Sequence, residues 1–166
     1  MTKTSVFKIN LGAHVEDTLT GFTGIVAGRS DWLYGCRRYV VQPVGVGADG
    51  KMFDSGSFDE DALQVLQDCT DYQNRGDFQF NLGAEAEDKV TGFTGVITGR
   101  SEWMHGCRRY VIQPKGTNKD GKIFETETFD EAALNLLKDF KEQTVSNTGG
   151  PQREISRSRD IKPRDR

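Results

Sequence analysis

The stretch from Arg29 to Tyr39 gathers most of the side chains able to do chemistry: Arg29, Trp32, Tyr34, Cys36, Arg37, Arg38 and Tyr39. A second stretch carries Arg100, Trp103, Cys107, Arg108, Arg109 and Tyr110. Guanidinium groups beside aromatic rings can stack on bases or clamp phosphates and carboxylates. These ten residues (Arg29, Trp32, Arg37, Arg38 and Tyr39 with Arg100, Trp103, Arg108, Arg109 and Tyr110) are therefore the candidates for contact with a ligand or partner. The plainer alternative is structural. Trp32 and Tyr39 would then pack a core or an inter-copy interface, with the arginines paired to Asp17 or Glu60.

Catalysis finds less support. Cys36 and Cys107 each follow a glycine and precede two arginines, and positive neighbours lower a thiol pKa. A cysteine nucleophile normally needs a histidine base. The two histidines, His14 and His105, are unmatched between the stretches, because Glu85 stands opposite His14 and Tyr34 opposite His105. Buried structural cysteine is the expectation. The same mismatch argues against zinc, which takes three or four N/S ligands. Neighbouring carboxylates (Glu16 with Asp17, Glu87 with Asp88, Asp59 with Glu60, Asp130 with Glu131) point to opposite faces of a strand and make no ready dyad, so they read as turn and cap residues. Gly21-Phe22-Thr23-Gly24 is followed by no Gly-Lys-Ser/Thr and is not a phosphate loop. No catalytic residue, metal or cofactor is assigned.

The two stretches belong to an internal repeat, the first thing to seek in any chain. Residues 7–68 align without gaps to 78–139 at an offset of 71, and 36 of the 62 pairs are identical. Two copies are too few for a solenoid. Each is near the lower size for independent folding, so a pair packed side by side with pseudo-two-fold symmetry is expected. The boundaries read as 1–69 for the first copy, 70–77 for a linker, 78–142 for the second copy and 143–166 for a polar, Arg-rich tail. From Val145 onward the tail holds six basic and three acidic residues with no aromatic. It cannot bury enough apolar surface to fold unless bound.

Within one copy, Phe7, Ile9 and Leu11 alternate with Lys8 and Asn10, which reads as a first strand. Gly12 to Thr20 reads as turn. Gly21 to Gly28 reads as a second strand, with Phe22 and Val26 inward. Arg38 to Gln42 is a third strand ended by Pro43. Asp49-Gly50 and Asp120-Gly121 are hairpin signals. Lys51–Phe53 and Phe58 flank a fourth strand. Phe58 to Leu66 closes the copy as a short helix capped by Asp59, or as a terminal strand. The fold class is mainly β: two tandem small SH3-like barrels, each closing with a short helix or strand, plus an extended C-terminal tail.

The Gly-Phe-Thr-Gly-Ile-Val segment resembles a KOW motif, the Gly-centred hairpin of SH3-like domains that bind RNA or proteins. Gly21-Phe22-Thr23-Gly24, continued by Gly28-Arg29-Ser30, Trp32, Gly35-Cys36, Tyr39, Gln42-Pro43 and Phe58-Asp59-Glu60, is similar to small bacteriophage and prophage proteins that carry no assigned activity. The resemblance covers roughly 7–66 and 78–137. It implies a phage-type interaction protein, an accessory virion or assembly component, whose partners are other phage or host proteins within an oligomer or larger assembly. The other reading is a regulatory protein that binds nucleic acid or sequesters a nucleotide. A net charge of −3 argues against bulk capture of nucleic acid. No apolar run approaches the length of a membrane span. Met1 to Phe7 has no signal-peptide core, so the host cytoplasm or the virion is the expected location.

Overall fold

A computed structural model describes residues 7–72 and 76–140. The tail 143–166 lies outside the described residues. The chain is mainly β; among the described residues the strands are accompanied by two short 3-10 turns. In the first copy the strands are β1 (His14–Asp17), β2 (Thr23–Trp32), β3 (Arg38–Gln42), β4 (Gly56–Asp59) and β5 (Leu63–Gln67). In the second they are β6 (Glu85–Asp88), β7 (Thr94–Trp103), β8 (Arg109–Gln113), β9 (Glu127–Asp130) and β10 (Leu134–Lys138).

All pairings are antiparallel, and the strands form one open ten-stranded sheet. Its main path runs β10–β6–β7–β2–β1–β5, with β3–β4 and β8–β9 branching from β2 and β7. The expectation of two separate small barrels is therefore met only at the level of a mainly β chain. Both β2 and β7 are ten residues long, enough to pair with a different neighbour along each part of their length. The first part of β2 meets β1, its middle and end meet β3, and its end also meets β7.

Each half buries its own apolar set. Phe7, Ile9, Leu11, Ala13, Val15, Val26, Tyr39 and Val41 form one core. Phe80, Ala84, Ala86, Ile97, Tyr110, Ile112 and Leu134 form the other. Phe78 packs against both and lies 6.3 Å, centroid to centroid, from its sequence equivalent Phe7.

Four local expectations need correction. Phe7, Ile9 and Leu11 are buried as their alternation implies, but they form no strand. The Ile9 amide donates to the Tyr39 hydroxyl (3.4 Å) instead of joining a ladder. The segment 12–20, read as turn, contains β1, and β2 runs on past Gly28 to Trp32. Of the two readings for Phe58 to Leu66, the closing strand holds: β4 ends at Asp59, a 3-10 turn covers Glu60–Ala62 and β5 follows. Asp59 makes no capping bond, since its carboxylate is taken up by Arg38 and Cys36. At residue 52 there is only an isolated bridge, Val46 with Met52, below the Asp49-Gly50 turn, where Gly50 takes φ +76°. Glycine reaches that conformation without strain.

Candidate functional site: the face across the β2–β7 seam

The seam between the copies is a five-residue ladder: Gly28 opposite Trp103, Arg29 opposite Glu102, Ser30 opposite Ser101, Asp31 opposite Arg100 and Trp32 opposite Gly99. With the repeat offset of 71, Ser30 faces its own equivalent, so a pseudo-two-fold axis passes between Ser30 and Ser101. The flanking backbone bonds are twins of each other. Leu33 N donates to Thr98 O (2.9 Å) and Met104 N to Ala27 O (2.8 Å).

Directly opposed residues in an antiparallel sheet share a face, and successive residues alternate. The inner face of the seam is ionic and largely buried. Arg29 donates through Nε to Glu102 Oε1 (2.8 Å), through Nη2 to the same oxygen, and through Nη1 to Ile9 O (2.8 Å). Its guanidinium lies 4.6 Å above the Phe7 ring. In the twin position Arg100 donates through Nη2 to Asp31 (3.1 Å) and through Nη1 to Phe80 O (3.1 Å), with Phe78 at 4.6 Å. Asp31 is one methylene shorter than Glu102. It reaches only one guanidinium nitrogen, and Arg100 Nε is buried with no hydrogen-bond partner among the described residues. Arg108 adds a bond to Glu102 (3.2 Å) and lies over Phe78, while Arg37 reaches Glu60 (3.3 Å) and Asp31 (4.0 Å).

Tyr39 and Tyr110 are fully buried in the two cores. Their hydroxyls donate to Glu60 and Glu131. Burial raises both phenol pKa values well above the ordinary range, and the carboxylate acceptors raise them further. For Glu60, burial pushes the carboxyl up, but the bonds from Tyr39 and the Lys8 amide and the nearby Arg37 charge outweigh it, leaving the pKa lowered.

The outer face carries a different set. One row crosses six strands: Asp59, Arg38, Ser30, Ser101, Arg109, Asp130. Trp32 and Trp103 stand on the same face, one strand step to either side of the axis, and are 38% and 37% exposed. Each indole lies across a glycine of the other copy, Trp32 on Gly99 and Trp103 on Gly28. The Trp32 indole N–H donates to Ser30 Oγ (3.1 Å). Arg38 and Arg109 are half-exposed, and each pairs with the carboxylate next to it in the row, Asp59 (3.2 Å) and Asp130 (2.9 Å). Ser30, Trp32, Gly35, Cys36, Arg38 and Ser57 line an open hollow of about 340 Å³ on this face.

Cys36 and Cys107, expected to be buried, are exposed. Each thiol donates to the neighbouring carboxylate at 3.2 Å, Cys36 to Asp59 and Cys107 to Asp130. The Asp59 bond is the main reason the Cys36 thiol pKa is raised, the opposite of what an activated nucleophile needs. Cys69 is also a free thiol. Among the described residues no cluster of histidine, cysteine or carboxylate side chains has the make-up of a metal site, and no helix is long and apolar enough to cross a membrane.

The ten sequence candidates thus divide by depth. Trp32, Trp103, Arg38 and Arg109 come together on the outer face. Arg29 and Arg100 lie in the inner ion pairs, with Arg37 and Arg108 packed at their edge, and Tyr39 and Tyr110 lie in the cores. Sequence reasoning missed Ser30 and Ser101, which occupy the axis; their only signal was their identity at the centre of the densest repeat segment. Compared with protein-family models, with curated proteins and with solved structures, the chain matches none.

Proposed function

We propose that the chain is a non-enzymatic interaction protein of the bacteriophage type its motif resembles, an accessory component of a virion or its assembly, acting in the host cytoplasm or the particle. The outer face of the seam is its contact surface. The observation that carries this is the joint placement of Trp32, Trp103, Arg38 and Arg109 around Ser30 and Ser101. Tryptophan and arginine are the residues most enriched where protein interfaces concentrate their binding energy. The indoles are already seated on glycine backbone, so little side-chain freedom remains to be lost on docking.

Each half is read as an SH3-like unit. Its strand order β5–β1–β2–β3–β4, with a 3-10 turn between β4 and β5, supports that reading. The axis between Ser30 and Ser101 joins the outer residues of the two copies into one continuous surface.

The nucleic-acid or nucleotide reading draws on six arginines, Arg29, Arg37, Arg38, Arg100, Arg108 and Arg109. Four of these are held by the inner carboxylates, and the remaining two each sit beside an aspartate. A face of balanced charge favours a protein partner over a polyanion.

The test compares the full chain with its Trp32→Ala/Trp103→Ala variant as bait in infected cells, alongside mass spectrometry of purified particles. Recovery of a defined phage or host protein by the wild type and its loss with the variant is the expected result. Absence from particles together with identical recoveries would defeat the proposal.

A further inference from the structure

The contacts at the seam have the character of an interface between two subunits. Each half keeps its own buried core, with Phe78 packed against both, and the ladder contacts occur as reciprocal pairs about the Ser30–Ser101 axis. Trp103 on Gly28 is answered by Trp32 on Gly99, and Arg29 with Glu102 by Arg100 with Asp31. This is the self-complementary pattern of an isologous dimer, in which one patch meets a copy of itself. The 36 identities among 62 aligned pairs mean that the patch on one half is nearly the patch on the other.

We propose that the β2–β7 seam is a protein–protein docking surface tethered within one chain, and that each half can take a matching half from another copy of the chain in its place. The occupant is thus a second copy of this protein. Charge and shape complementarity argue for it: a buried arginine meets a carboxylate on each side of the axis, and a glycine groove receives each indole. The copies differ at one decisive position. Glu102 engages Arg29 through two nitrogens, whereas Asp31 engages Arg100 through one and leaves Nε unpartnered. A seam built from two second halves would have two glutamate pairs, the native seam has one, and a seam of two first halves has none. Self-association is therefore tighter for the second half than for the first. The covalent link supplies a high effective concentration and normally keeps the partner in cis.

The test keeps the full chain and places a specific protease site at residues 73–75. After cleavage, the halves are expected to co-elute at the mass of the uncut protein at tens of micromolar and to retain the circular dichroism of the intact chain. Two cleaved preparations bearing different tags are then mixed. A tagged half is expected to capture halves from the other preparation, with second-half pairs recovered severalfold more than first-half pairs.

Ser30→Lys with Ser101→Lys sets two like charges face to face at the axis without touching either core, and is expected to weaken association about tenfold while each half stays folded. Folded halves that separate on cleavage, halves that lose their structure once cut, co-eluting halves that never exchange, or an unchanged association of the double-lysine variant would each overturn the proposal.

Discussion

The indole of Trp103 lies so close to the backbone of Gly28 that a methyl group there would come within 2.5 Å of ring carbon Cε3. Trp32 bears the same relation to Gly99, at 2.6 Å. Real side chains do not approach so closely, so Gly28→Ala must displace the indole. Overpacking of this kind costs about 1–3 kcal/mol. The expected result is a lower unfolding midpoint and a shift in tryptophan emission. The double variant Gly28→Ala/Trp103→Ala should cost less than the sum of its parts, because contacting residues couple. Strictly additive denaturation data would show that the glycine is not there for the indole.

The Arg100 Nε left unpartnered gives a prediction of opposite sign. Asp31→Glu supplies the missing methylene and recreates the Arg29–Glu102 arrangement. Satisfying a buried donor contributes about 1 kcal/mol, so this variant should be more stable in urea than the wild type. Glu102→Gln should instead cost about 3–5 kcal/mol, because it removes the carboxylate that faces the buried Arg29. If Asp31→Glu lowers the midpoint, the shorter side chain is demanded by the space at that end of the seam.

These two sites also mark how far the sequence could be read. The repeat, the third strand and the Asp-Gly turns were legible because each rests on local pattern. The alternation of Phe7, Ile9 and Leu11 correctly reported burial. It could not report the absence of a ladder, because the partner of Ile9 N is a tyrosine hydroxyl far along the chain. Helix and strand both stayed open for Phe58 to Leu66 because Asp59 resembles a cap, and its partners Arg38 and Cys36 become visible only when β3 and β4 pair. At the seam, Gly28 and Trp32, four residues apart in each copy, look like unrelated residues until antiparallel pairing sets each glycine opposite the other copy's tryptophan. Which strand edges meet is a tertiary fact, and no period in the sequence encodes it.

Cys36 offers a test of the outer face. Its thiol is exposed, yet the bond to Asp59 holds its pKa above the ordinary value. In a background of Cys69→Ser and Cys107→Ser, alkylation near neutral pH should be slow for a surface cysteine. Asp59→Asn removes the negative acceptor, with Arg38 still beside the site, and should raise the rate severalfold, since the thiolate is the reacting species. A rate unchanged by Asp59→Asn would mean that the thiol does not lean on this carboxylate in solution.

Tyr39 and Tyr110 govern the alkaline limit of the fold. Both phenol pKa values are raised by burial and by donation to Glu60 and Glu131. In the unfolded chain a tyrosine titrates near pH 10. The folded state therefore keeps protons that the unfolded state releases. The stabilisation is present in full below about pH 10 and is lost as pH rises toward and through the folded value. Chemical denaturation at stepped pH should show a constant midpoint from neutral pH up to that point and a steady fall above it. Tyr39→Phe/Tyr110→Phe removes both titrating groups and should flatten the fall, at the cost of a lower midpoint at neutral pH, where Glu60 and Glu131 lose a donor. Tyrosinate absorbance assigned by difference to these two residues should appear together with loss of the sheet signal in circular dichroism. Ionisation that precedes unfolding would mean that the buried hydroxyls are open to solvent and that their carboxylate bonds do not hold.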